Sequence, residues 1–394
     1  MDMTFRVVLS IATLAVTTQI APSTPRVAAG GAAGRVTLVR VPDDGIQPQV
    51  AQDRSGQVHL IYFKGDAAHG DLFYTRFDPK NVRFAPPLRL NEPGTAIATG
   101  TVRGGHLAIG RNGRIHVAWA GSDRAKPQGP EYFKPMLYTR LNDRGDAFEP
   151  PRNLVGTFGN GLDGGSIAAD QAGNVFVIWH SGGPGKLGEA ERRVWLAQSK
   201  DDGRTFERER AISAEETGVC GCCGLGATAD DGGNLYVLYR SATEVVHRDM
   251  FLLTLRAGRP TSSEKIQEWN TGACQMSTSA FTVDKSAVIG AWETTGQVQM
   301  VRIDRETGRR SPFIAPALIG DANRKHPALA VNAAGEMLLA WTEGTGWQRG
   351  GSVAWEIFDR QGRSTGETGR VPGVPVWGLA AAYARPDGGF TILY

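Results

Sequence analysis

The stretch Val219–Arg240, VCGCCGLGATADDGGNLYVLYR, holds the clearest copy of a repeat and the most unusual chemistry of the chain. From Gly226 onward it reads as an apolar, β-prone run (ATAD), a Gly-rich turn (DGGN) and a second run (LYVLY), which is the signature of a β-hairpin. Directly before it stand Cys220, Cys222 and Cys223, three of the chain's four cysteines.

The hairpin recurs as PQVAQDRSGQVHLIYF from Pro48, GHLAIGRNGRIHVAWA from Gly105, GSIAADQAGNVFVIWH from Gly165, TSAFTVDKSAVIGAWE from Thr278, PALAVNAAGEMLLAWT from Pro327 and GLAAAYARPDGGFTILY from Gly378. Aligned on the turn, Asp53, Gly110, Asp170, Asp230, Asp284 and Asn332 are equivalent, giving a period of roughly 50 to 60 residues. An all-β chain repeating at that interval predicts a β-propeller with one blade per repeat. Outer strands such as LFYTRFD, MLYTRLN, VWLAQSK and PFIAPALI follow the hairpins. Six blades are complete along the chain. The run Arg35 to Val41 and the C-terminal hairpin would form a seventh and close the ring. Seven blades are expected, with six as the alternative if the terminal hairpin merely covers a neighbour.

A length of 394 residues alone would suggest several domains, but the repeat makes 30–394 a single closed unit. A formal net charge of +3, without any basic run interleaved with aromatics, argues against a nucleic-acid partner. Arg6 precedes an apolar run, Val7 to Val16, and small residues follow as far as Val27-Ala28-Ala29. This predicts a cleaved export signal over residues 1–29 and a periplasmic or secreted protein. The run is too short for a permanent anchor, and no later segment reads as transmembrane.

The turn Ser199 to Phe206, SKDDGRTF, resembles the Asp-box, or BNR repeat, of the sialidase superfamily, with weaker copies at Asn142 to Phe148 and Phe77 to Phe84. The cysteine stretch, with Tyr239-Arg240, Arg248-Asp249 and Trp269 ahead of Cys274, also resembles bacterial sialidase-like proteins. At the level of blades the resemblance covers about residues 35–394. It implies a functional face opposite the Asp-boxes and, if the chain is an enzyme, an exo-sialidase-like glycosidase. The family's Tyr-Glu nucleophile pair has no assignable counterpart here, and Arg40-Val41-Pro42 only approximates its early Arg-Ile-Pro signature. The catalytic residues are therefore left unassigned.

In a propeller, residues just before each inner strand and just after each second strand gather around one central opening. The first set is Gln47, Arg103, His106, Asp163, Cys220, Cys222, Cys223, Cys274, Met276, Arg324 and His326; the second is Lys64, His180, Arg240, Glu293 and Glu343. From these and the adjacent His247-Arg248-Asp249, the candidates for binding a glycan or other small anion are Arg103, His106, Arg240, Arg248, Arg324 and His326. Plain solvation of surface arginines is the alternative.

Four cysteines in an exported chain normally pair, and Cys220 or Cys222 joined to Cys274 would tie adjacent blades together. The competing reading is a soft-metal site: Cys220, Cys222, Cys223 and Cys274, with Met276, His106 or His326 nearby, suit copper(I) or zinc. C-x-C-C is not a zinc-finger spacing, and a redox-active thiol is the remaining reading. Trp119, Trp179, Trp292 and Trp341, with Tyr62 and Tyr239, end the second strands in equivalent positions and are expected to pack between blades. His59 and His116, inside second strands, are expected to be structural. Three functions stand from sequence: a glycan-binding or glycosidase-type propeller, a metal-binding or redox-linked one, and a plain interaction platform.

Overall fold

The computed structural model describes residues 34–394 except 68, 94–103, 131, 132, 158, 184, 187, 245, 257, 258 and 318–322. The expected export signal and Arg103 thus lie outside the described residues. Seven separate sheets account for the strands, so the six-bladed alternative is set aside. The inner strands, in chain order, are Ile46–Gln52, His106–Ile109, Asn160–Ala169, Gly226–Ala229, Ala280–Val283, Arg324–Val331 and Ala381–Ala384. Each touches the next, and the seventh touches the first, which makes the ring.

Five of the seven hairpin turns, those at Asp53, Asp170, Asp230, Asp284 and Asn332, are closed by the same chemistry. A carboxylate or amide oxygen at the turn's first position accepts backbone N–H groups two to four residues ahead, as Asp53 does from Ser55 and Gln57 at 2.9 Å each. Asp230 does so from Gly232 and Asn234 at 2.9 and 3.0 Å, and Asn332 from Ala334 and Glu336 at 3.1 and 3.0 Å. Such side-chain caps replace the backbone partners that a tight turn forfeits. The SKDDGRTF turn follows suit: Asp201 accepts from the Thr205 N–H and hydroxyl at 2.8 and 2.6 Å. Its neighbour Asp202 reaches the previous blade, accepting from the Arg114 Nε–H at 2.5 Å.

The ring closes where the sequence placed it. Val36–Val39 runs parallel to Phe390–Leu393 as the third strand of the seventh blade, whose other two strands are C-terminal. The Phe390 N–H donates to the Arg35 carbonyl at 2.7 Å, and the Tyr394 N–H to the Val39 carbonyl at 3.1 Å. Arg35 adds ion pairs to Glu367, at 2.6 Å, and to Glu336 of the sixth blade.

Trp119, Trp179, Trp292, Tyr62 and Tyr239 are fully buried and Trp341 nearly so, each set between neighbouring sheets as expected. His59 and His116 are buried too, each 2.8 Å from a tyrosine hydroxyl on the adjacent strand, Tyr74 and Tyr138. Two outer strands differ from expectation. The fifth sheet stops at three strands, and Ile314 of PFIAPALI forms only an isolated bridge to Met300. Pro312 and Pro316 lack the N–H that a continuing ladder needs. In the sixth blade the weak run near Gly369 is a full strand, Ser364–Val374.

Candidate functional site on the central face

Because inner and second strands are antiparallel, the start of one and the end of the other share a face of the ring. On that face the backbone is kinked. Gln47, Met276, His326 and Trp377, each at or just before an inner strand, have φ of 53°, 43°, 53° and 61°. Register shifts fall at the same place in the first, third and sixth blades, between Ile46 and Gln49, Asn160 and Gly164, and Lys325 and Ala328. Such bulges re-aim side chains at a sheet's rim. Behind them a channel of about 910 Å³ follows the inner strands through the ring, lined by small residues such as Ala51, Ala108, Ala227 and Ala328 with His106, Ser166 and His326.

The cysteine loop lies on this face and is clamped by three blades. The Val219 N–H donates to the Glu189 carbonyl at 3.0 Å, the Cys220 N–H to the Arg240 carbonyl at 2.9 Å and the Gly224 N–H to the Ser277 carbonyl at 2.8 Å. The Gly221 N–H donates to Glu189 Oε1 at 2.6 Å. A side chain at 221 would collide with the Arg192 guanidinium, so the glycine of C-G-C-C admits this arginine against the loop. The clamped turn brings three sulfurs together: Cys220 Sγ lies 3.4 Å from both Cys222 Sγ and Cys223 Sγ. All three fall within 4.8 Å of one another. No cysteine is in a disulfide; Cys220 and Cys223 are buried, Cys222 is half-buried and Cys274 is exposed. Sulfur–sulfur hydrogen bonds to Cys222 and Cys223, with burial, push the Cys220 thiol up, while the bond from Cys220 lowers Cys222. Cys274, bonded to Cys222, is lowered to about 7.

The candidate anion-binding arginines are not presented together to solvent. Arg240 is 3 % exposed, donates to the carbonyls of Arg248, at 2.8 Å, and Glu293, and lies 4.7 Å over the Trp269 ring. Arg324 is 4 % exposed, donates to Gln297 Oε1 at 3.1 Å, pairs with Glu343 at 3.5 Å and covers Trp341. Arg248 pairs with Glu189 at 3.1 Å. Asp163 lies 3.7 Å from Arg192 and 3.5 Å from Lys134. Arginine at a strand end reads the same whether its fork faces water or protein acceptors, and here backbone carbonyls hold Arg240 while Gln297 and Glu343 hold Arg324.

Burial drives His106 down to about 4, and burial with the Lys325 charge drives His326 down to about 3. Unfolded, both would take up a proton near pH 6.5; folded, they resist it, so stability declines as pH falls from about 6.5 toward 3 to 4. For His326 the loss at pH 5 is roughly 2 kcal/mol. Denaturation midpoints at pH 7 and pH 5 should differ less in His326→Gln than in the unchanged protein, and an equal drop in both would contradict this.

One feature of the face has no signal in the repeat. Trp347, in the loop after the sixth blade's second strand, is 63 % exposed, and its ring stands perpendicular to that of Trp377 at 5.0 Å. Trp377 is held by its carbonyl, which accepts from Gln47 Nε2 at 3.1 Å across the closing seam. Beside this corner a small hollow is lined by Met276, His326, Thr345 and Arg349. The only sequence cue is a tryptophan outside the hairpin, in GTGWQRG.

No protein-family model and no curated protein sequence matches the chain. Solved structures do match in shape. A protein of unknown function from Dyadobacter fermentans aligns with a TM-score of 0.52 at 12 % identity, over 76 % of this chain and 90 % of that one. Penicillium chrysogenum α-L-arabinanase, complexed with arabinobiose, gives 0.51 at 11 % identity, over 82 % and 95 %. Trypanosoma rangeli sialidase, in complex with the inhibitor DANA, gives 0.50 at 9 % identity, over 79 % of this chain and 54 % of the sialidase, so the match spans about half of that enzyme. In fold, the chain is a sialidase-like β-propeller with seven blades.

Proposed function

We propose that the central face binds a glycan carrying an anionic group, with the Trp347–Trp377 corner as its platform. The observation that carries this is the indole pair: two large rings at 5.0 Å, Trp347 63 % exposed and Trp377 half-buried, form a wall and floor on which the apolar face of a sugar ring can lie. Arg349 is exposed at its edge, with no acidic partner among the described residues, and supplies the charge for a carboxylate or sulfate. That the arabinanase of similar shape holds arabinobiose is in keeping with a saccharide ligand. The N-terminal apolar run supports an extracytoplasmic setting, which N-terminal sequencing of the mature protein would test by finding a start near Gly30.

Glycosidase chemistry requires a nucleophile and a raised-pKa acid facing one another across the bond. Glu293 is raised by burial, but it lies 1 % exposed beneath the face, and Glu343 is taken up by Arg324, Arg370 and Trp341. The reading is therefore one of binding. Calorimetric titration with uronide, sialoside and neutral arabinan oligosaccharides should show preference for the anionic members. Trp347→Ala, which leaves the buried core untouched, should weaken binding about 10-fold or more. Arg349→Ala should erase the preference for charge. Equal binding by Trp347→Ala, or no binding by any member of the panel, overturns the proposal.

A further inference from the structure

The thiol loop lies outside the aromatic corner, and its surroundings carry their own meaning. Three arginines flank it, Arg240 and Arg248 buried and Arg192 partly buried. Arg192 rests against Gly221, Arg248 is paired to the Glu189 that holds the Gly221 N–H, and Arg240 has its charge felt at Cys223. Each has a buried Nε–H without a hydrogen-bond partner. Burying a guanidinium with an unsatisfied nitrogen is costly unless a negative charge answers it. Glu189 and Asp163 answer in part, through single contacts of 3.1 and 3.7 Å. Three neutral thiols would supply no counter-charge at all.

We infer that Cys220, Cys222 and Cys223 form a three-coordinate copper(I) site whose net negative charge is balanced by Arg192, Arg240 and Arg248. The geometry is close to what such a site needs, with two sulfur pairs at 3.4 Å and all three within 4.8 Å. On binding, each thiol gives its proton to solvent and its sulfur lone pair to the ion, so one Cu⁺ and three thiols become a dianionic trithiolate and three protons. Soft thiolates suit copper(I) and zinc rather than hard ions. A closed structural zinc site takes four ligands, and among the described residues no fourth His, Cys, Asp or Glu donor belongs to the group. Cys274, exposed and hydrogen-bonded to Cys222, stands outside the three, where an incoming ion or a donor molecule would meet the protein first. This site is independent of the glycan reading and stands or falls without it.

The test is anaerobic titration of the reduced full chain with copper(I) against a chromogenic copper(I) chelator, followed by X-ray absorption of the loaded protein. One copper(I) per chain in a sulfur-only, three-atom shell is expected. Cys222→Ser should lower copper(I) affinity by more than the ~100-fold typical of losing an outer partner. Cys274→Ser should keep one ion with the same shell. If Cys222→Ser fails to fold, the shell of the unchanged protein still decides. A shell with nitrogen or oxygen, loss of the ion in Cys274→Ser, or preferential retention of zinc over copper(I) would overturn the assignment.

Discussion

A chain shortened to begin at Arg40 should lose several kcal/mol of stability, on the order of 5, and should self-associate. Removing Val36–Val39 deletes Leu38 and Val39, now 5 % and 1 % exposed, and the burial of each is worth roughly 1.5 to 3 kcal/mol. It also strips the ladder from Phe390–Leu393 and removes Arg35 from Glu336 and Glu367. A loss of that size is a large part of the margin by which ordinary domains stay folded. The freed strand is then an apolar edge with unpaired N–H and carbonyl groups, the form that invites pairing between molecules. Denaturant titration and size-exclusion chromatography would check both parts, and a peptide spanning Arg35 to Val41 should restore the monomer. An unchanged midpoint in the shortened chain would mean that six blades suffice.

Arg240→Met should destabilise the protein by about 3 kcal/mol, lowering the melting midpoint by roughly 5 °C. Its guanidinium joins the fourth blade to the fifth through the carbonyls of Arg248 and Glu293, and a methionine of similar length fills the space over Trp269 without donating to either. Two buried acceptors are then left bare, at about 1 to 3 kcal/mol each. Arg240→Lys should recover little, because a single ammonium cannot fork to two separated carbonyls. A variant as stable as the parent would return Arg240 to the role of a ligand-facing charge. Calorimetric melting decides between the two.

The contrast explains what could be read from sequence. The hairpin turns were legible because each depends on one side chain and its next few backbone neighbours, as at Asp53 and Asp230. Ring closure was legible because a lone strand at one end and a strand pair at the other have only each other to complete a sheet. The interblade packing of Trp119, Trp179 and Trp292 followed from strict recurrence. The role of Arg240 was hidden, since its acceptors Arg248 O and Glu293 O come from two different blades and only the ring's geometry brings them together. The Trp347–Trp377 corner was hidden for the opposite reason. It obeys no repeat and is assembled from the sixth and seventh blades, with Gln47 of the first holding the Trp377 carbonyl.

The two ends of the central face also differ in when they can exist. Every backbone clamp on the thiol loop comes from Glu189, Arg240 or Ser277, a contiguous piece of chain. That half can take shape as soon as the third to fifth blades meet. The aromatic corner leans on a bond from Gln47 to Trp377, residues from opposite ends of the described chain. It has to wait for the seam, and it is lost first when the seam opens. Ring closure is thus more than a stabilising device: it is the step at which the aromatic half of the face comes into being, while the thiol half is already in place.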